Sequence, residues 1–185
     1  MTEIELKYYA TSYKGYDSLL DIWCHMLGSY RLIGSKAVLK EETYIDTANL
    51  DLRKMGIYAR VDNKGELMLK YGSNENGFFI RKEVLVSPLD TFEGIDLSLA
   101  RKQFHVTTYR DVLTLDIGDG IIEMCKDIFY YKGFGDETEH RELEFELKSG
   151  ESLDIVKEVV SDFICDEFRP SEISKGERGY QLMGI

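Results

Sequence analysis

Two short stretches constrain this chain more than anything else in it. In Glu3-Ile4-Glu5-Leu6-Lys7 and again in Glu142-Leu143-Glu144-Phe145-Glu146, charge and oil alternate with a strict period of two. That period belongs to a β-strand, in which residues i, i+2 and i+4 share one face at about 7 Å spacing. Glu3, Glu5 and Lys7 therefore stand together on one strand, and three carboxylates stand together on the other. Neighbouring carboxylates at that spacing repel by about 0.6 kcal/mol in water and by about 2 kcal/mol at an effective dielectric near 20. Bulk water tolerates such a face; a cavity demands cations opposite it.

The rest of the chain supplies the strands. Runs at Ala37–Ile45, Gly56–Val61, Leu67–Tyr71 and Phe78–Val86 are broken by Asp62-Asn63-Lys64-Gly65 and by the Gly72–Gly77 segment, and they read as antiparallel hairpins. Further strands are expected at Val106–Tyr109, Val112–Ile117, Ile121–Tyr131 and Glu139–Lys148. Helical spacing of Leu19, Leu20, Ile22, Trp23, Met26 and Leu27 predicts a helix over Gly15–Gly28, and a second is expected over Leu89–Lys102. Ser152 is placed to cap a third, Leu153–Cys165, whose apolar face carries Val156, Val159, Val160 and Phe163. About eight strands with three helices leave a sandwich, an open sheet and a closed barrel all open.

Composition narrows the partners. A formal net charge of −11 over 185 residues opposes duplex nucleic acid and anionic membranes, so an anionic ligand needs a local pocket of Lys and Arg. No apolar run is long enough to span a bilayer. The three cysteines, Cys24, Cys125 and Cys165, lack metal-ligand spacing, and no cationic, apolar leader precedes them, which is read as a cytoplasmic protein with packing thiols. Only Pro88 and Pro170 interrupt the chain, and no linker or repeat stands out, so one domain over residues 1–185 is expected.

Taken singly, either charged strand is an ordinary solvated face with its apolar side on a core. The remaining charges shift that balance: Arg60, Lys70, Arg81 with Glu83, and Arg110 put a charged group at the middle or end of nearly every other strand. Were these faces to converge inside a barrel, its lumen would hold carboxylates on one wall and bases on others. Polyphosphate chemistry asks for that mixture, because Arg and Lys grip phosphate oxygens while Asp and Glu hold a divalent ion. Phosphoryl transfer then needs positioning, charge neutralisation and a water.

The stretches that carry these charges resemble the CYTH family, the triphosphate tunnel metalloenzymes. Glu3-Ile4-Glu5-Leu6-Lys7 is similar to the ExExK signature of that family, and four elements follow in its order: Tyr44–Arg60, Leu67–Lys70, Arg141–Gly150 and Ser174–Leu182. The resemblance implies an α+β fold, an eight-stranded antiparallel β-barrel or tunnel with flanking helices, that binds a small-molecule triphosphate with Mg²⁺ or Mn²⁺. It implies catalytic roles for Glu3, Glu5 and Lys7, and phosphate binding by Lys7, Arg60, Lys70, Arg81, Arg110, Lys175 and Arg178. It places the metal with Glu3, Glu5, Glu144 and Glu146, with Glu142, Asp127 and Glu83 as further candidates. The chain departs from the pattern at Asp62 and Thr108, where bases are common.

The implied activity is metal-dependent hydrolysis of a triphosphate, inorganic or organic. Class IV adenylate cyclase, thiamine triphosphatase and a non-catalytic polyphosphate- or nucleotide-binding module stand beside it. His25 is read as a packing position, His105 and His140 as surface groups, and Asp51 and Arg53 as a solvated turn. The twelve Tyr and nine Phe are read as cover for a barrel, since no interleaved bases accompany them.

Overall fold

The first strand shows how the chain closes on itself. The computed structural model describes residues 2–17, 19, 23, 30–133, 135, 137–150, 153–164 and 166–185. Strand β1 (Thr2–Ala10) pairs antiparallel with β5 (Phe78–Val86) through Thr2–Glu5 on one edge and with β10 (Thr138–Ser149) through Ile4–Tyr9 on the other. Between β5 and β10 the sheet runs through β4 (Leu67–Glu75), β3 (Tyr58–Asp62), β2 (Arg31–Asp46), β8 (Arg101–Asp116) and β9 (Ile121–Lys132). Every pairing is antiparallel, and these eight strands form a closed barrel. A short strand, β11 (Phe168–Pro170), covers β1 at Tyr8–Ala10, beyond the reach of its pairing with β5.

Alternation then decides which face is inside. Leu6, Leu143 and Phe145 turn outward into an apolar cluster with Trp23, Val156 and Phe163, so Glu3, Glu5, Lys7, Glu144 and Glu146 turn inward. Helix α3 (Leu153–Phe163) supplies the cover: Val156, Val159, Val160 and Phe163 follow i, i+3, i+4, i+7 and are all buried. Burial of each such side chain contributes about 1.5–3 kcal/mol, which holds the barrel wall with its charged face inward. Of the helix expected over Gly15–Gly28, the described part shows α1 (Tyr13–Asp17) and buried Leu19 and Trp23. The remainder lies outside the described residues, as do Ser152, Cys24, His25 and Cys165.

The helix expected over Leu89–Lys102 is not there. Strands β6 (Thr91–Phe92) and β7 (Ile95–Asp96) form a small hairpin, followed by one 3₁₀ turn at Leu97–Leu99 and then β8. Glu93 and Gly94 both take positive φ, 49° and 83°, the signature of a two-residue hairpin turn. Asp96 accepts a hydrogen bond from Ser98 N, and Asp90 accepts one from Ser87 N. These local bonds compete with a helix ladder, and apolar spacing alone did not outweigh them. Asn76 and Gly77 make the same kind of turn between β4 and β5, which lets β4 run on past Tyr71 to Glu75. The two strands expected around Arg110 are one, sixteen residues long.

One end of the barrel is packed by its own aromatics. Tyr44, Phe104, Val106, Phe129 and Tyr131 form a cluster with Tyr180 from the last helix, α4 (Lys175–Leu182). Ser174 caps α4 by accepting from Glu177 N. Asp51 and Arg53, read from sequence as a solvated turn, are held in place, and Arg53 anchors this helix: α2 (Asp51–Lys54) sits on fully buried Asp46, whose carboxylate accepts from Leu52 N and Arg53 N, Thr47 Oγ1 donates to Asp51 at 2.5 Å, and Arg53 forks onto Glu177 at 2.8 and 3.1 Å. Gly179 is needed for the close approach, because a Cβ there would lie 2.2 Å from Phe104 ring atoms. Gly179→Ala is expected to destabilise the protein by about 1–3 kcal/mol through overpacking, read as a lowered midpoint in thermal denaturation. An unchanged midpoint would mean α4 does not seat on Phe104 in solution.

Candidate active site

Ten charged side chains from six strands and α4 would repel one another unless interleaved, and interleaved they are. Glu3, Glu5 and Lys7 of β1, Arg60 of β3, Lys70 of β4, Arg81 of β5, Arg110 of β8, Glu144 and Glu146 of β10, and Lys175 of α4 all line one cavity. Lys7 lies between Glu144 and Glu5 Oε2, the latter at 3.2 Å. Lys70 meets Glu3, with Glu5 Oε1 at 3.4 Å and Glu83 at 3.6 Å. Arg60 spans Glu42 and Glu83 at 2.7 Å each, Lys175 reaches Glu42, and Arg110 forks onto Asp127 while touching Glu144.

Burial and charge together set the protonation states. Burial works against the Lys7 ammonium, yet Glu144 and Glu5 outweigh it and hold the group charged well above the ordinary lysine value. Burial likewise opposes the Glu42 and Glu144 carboxylates; Lys175 and Arg60 keep Glu42 far below the ordinary range, and Arg110 and Lys7 do the same for Glu144. Glu146 goes the other way: burial raises it, and Glu3 and Glu5 add to the effect against Lys148 at 2.8 Å.

Some predicted residues stand behind the wall. Asp127 is fully buried with both oxygens on Arg110, so it orients that guanidinium and does not face the cavity. Glu83 backs Arg60 and Lys70. Glu142, fully buried, gives one oxygen to Arg178 at 3.2 Å, Ser171 at 3.2 Å and His140 at 3.0 Å. His140 is therefore no surface group: it shares the inner face with Glu142 and stacks on Phe129 with ring centroids 6.3 Å apart. His105 is half-buried, its Nδ1 3.2 Å from Thr43 Oγ1. Asp62, at the position of a common base, accepts from Lys64 N and Glu66 N and shapes the β3–β4 turn.

Sequence reading placed a strand at Ala37–Ile45 but missed its charged inner face. Lys40 lines the cavity and Glu42 backs it, on the same period-two face as Tyr44, and the alternation in Lys40-Glu41-Glu42-Thr43-Tyr44 was the available signal. Lys40 stands opposite Thr108 in the β2–β8 register, so a base faces the position where β8 offers none. Burial lowers the Lys40 ammonium, and Arg110, Lys175 and Arg60 lower it further. The cavity wall thus carries seven bases, Lys40 included, against four carboxylates, inside a protein of net charge −11.

Whether these residues fit a divalent ion is answered by the donor set. Glu5 and Glu146 are directly opposed in the β1–β10 register, a like-charged pair that a shared cation would relieve. Glu5 is 2% exposed and its Oε1 accepts no hydrogen bond among the described residues. Glu3, Glu5, Glu144 and Glu146 offer hard carboxylate oxygens, the type that Mg²⁺ and Mn²⁺ take. As the side chains stand, no three such groups converge on one point among the described residues, because Lys7, Lys70 and Lys148 draw the carboxylates apart. The set fits in kind, by the donor atoms it offers.

No family model matches the chain, and no curated protein matches it. Solved structures do. The Hippeastrum protein HpAC1, named for adenylyl cyclase and described by a dominant triphosphatase activity, aligns at 18% identity over 97% of this chain and 95% of that one, with a TM-score of 0.65. The capping enzyme triphosphatase of Mimivirus aligns at 11% identity over 88% of each chain, TM-score 0.54. PH1819 from Pyrococcus horikoshii OT3 aligns at 16% identity over 97% of each, TM-score 0.52. The chain has the fold of the triphosphate tunnel proteins, the closed antiparallel barrel that its charged strands resembled.

Proposed function

We propose that this protein is a divalent-metal-dependent triphosphatase. One observation carries the reading: seven bases and four carboxylates share a buried cavity wall, with Glu5 set against Glu146, in a chain whose overall charge repels anions. Two of the proteins that share the fold, those from Hippeastrum and Mimivirus, are described as triphosphatases, which supports it.

Lys7, Lys70 and Arg110 bind phosphate oxygens in place of the carboxylates they now meet, while Arg60, Arg81 and Lys175 add to the grip. That exchange frees Glu3, Glu5, Glu144 and Glu146 to hold Mg²⁺ or Mn²⁺. The bound ion supplies neutralisation of phosphate charge and acidifies a water. Asp127 fixes the Arg110 fork, and Glu142 with Ser171 fixes Arg178 behind the wall. The aromatic cluster under α4 packs that helix onto the barrel and so holds Lys175 at the cavity. Low net demand on covalent chemistry suits such a site, since positioning and charge are most of phosphoryl-transfer catalysis.

Release of orthophosphate from tripolyphosphate, followed with Mg²⁺, with Mn²⁺ and with chelator, tests the reading. Metal-dependent release is expected. Binding of tripolyphosphate without release under either metal would leave a binding module instead, and cyclic AMP from ATP would make the protein a cyclase.

A further inference from the structure

The β2–β3 pairing is short. It spans only Glu42–Ile45 against Asp62–Ala59, whereas β2 pairs with β8 from Arg31 to Asp46. Among the described residues, β2 therefore has a strand partner on one edge only from Arg31 to Glu41. A second pocket opens in that gap, between β2 and the β3–β4 turn. Lys40 and Arg60 line both this pocket and the central cavity, so the two spaces meet at these side chains.

Their chemistry differs. Beyond the shared bases, the side pocket adds Glu41, Asp62 and Glu66 against the single Lys64, with Glu42 already paired to Arg60 and Lys175. Leu39 and Met68 give it an apolar side. Asp62 is fixed by its bonds to the turn, and so cannot swing away from the pocket without breaking them. Lys40, at the junction, has no carboxylate within ion-pair distance among the described residues, although Glu42 is two positions away on the same face. A cation left unpaired at the entrance to an acidic pocket marks where an anionic chain should end.

Resting on the triphosphate reading above, we propose that a substrate's triphosphate lies with its substituted end at Lys40, and that the side pocket takes a neutral or cationic organic group, not a further phosphate. Lys40 holds the phosphate nearest the substituent. A fourth phosphate placed past Lys40 meets Glu41, Asp62 and Glu66, whereas an organic group finds Leu39 and Met68 and, if cationic, those same carboxylates.

The test compares kcat/KM on tripolyphosphate, tetrapolyphosphate and thiamine triphosphate, whose organic part is cationic. Tetrapolyphosphate is expected to be used at least about fivefold less efficiently than the other two, and the double substitution Glu41→Lys with Glu66→Lys to narrow that gap about threefold or more. Both glutamates are exposed, so the double variant keeps the fold. Lys40→Met is expected to raise KM for tripolyphosphate about tenfold, the loss of one charge-assisted hydrogen bond. Equal use of tri- and tetrapolyphosphate by the wild type, or a gap the double variant leaves unmoved, overturns the proposal. Absence of phosphate release from all three compounds overturns the triphosphatase reading instead.

Discussion

Glu5→Gln is expected to lower kcat on tripolyphosphate by at least about 100-fold, the size of effect seen when one preorganised electrostatic group is removed from a site. Glu5 is 2% exposed, faces Glu146 across the β1–β10 ladder, and lies within 3.4 Å of two lysines. The amide keeps the shape of the side chain but removes one of four anionic oxygen donors around the proposed ion. It relieves the repulsion with Glu146 and weakens the pairing with Lys7 and Lys70, which keep Glu144 and Glu3, so the fold should survive. Circular dichroism and a thermal melt alongside the rate separate the two readouts. A rate within about twofold of wild type would take Glu5 out of the ligand set, because loss of a charged ligand is not silent in a site that works by electrostatics.

Arg110→Met should act on stability as well as turnover. Arg110 is the only ion-pair partner of Asp127 among the described residues, and that carboxylate is fully buried. Removing the guanidinium leaves it uncompensated and strips Glu144 of one of its two cations, a loss of about 3–5 kcal/mol in urea denaturation near neutral pH. The pH dependence follows from sign. Burial raises the Asp127 carboxyl and Arg110 opposes that rise, so in the variant its folded-state value lies above the unfolded one. The variant's deficit is then full above the folded value and shrinks as pH falls through it, because the proton binds the folded state more tightly. A deficit under about 1 kcal/mol, or one that grows on acidification, would show that Asp127 finds another partner.

Much of this was legible in sequence for a simple reason. Strand alternation is local, so Glu3, Glu5 and Lys7 had to share a face whatever the rest of the chain did, and likewise Glu144 and Glu146. Bases at Arg60, Lys70, Arg81 and Arg110 were visible for the same reason, and all four line the cavity. Where reading failed, local turn chemistry or distant pairing was at work. Glu93-Gly94 folded a hairpin out of a helical-looking apolar pattern. Lys40 acquires its importance from Thr108, sixty-eight positions later, through a register that alternation does not encode. His140 looked like an edge residue until α4 and β11 covered the barrel end and brought Ser171 and Arg178 to its partner Glu142.

The sequence by itself determined which residues travel together: period two fixed the charged and apolar faces of each strand, and helical spacing fixed the apolar stripe of Leu153–Phe163. It did not determine which face is inside. That was decided by closure of β1 onto β10 and by α3 covering Leu6, Leu143 and Phe145, since burying those side chains outside the barrel leaves the carboxylates and bases only each other to face. The short β2–β3 pairing, and the side pocket it opens past Lys40, exist only in three dimensions, because a strand's length is local but the extent of its pairing is not.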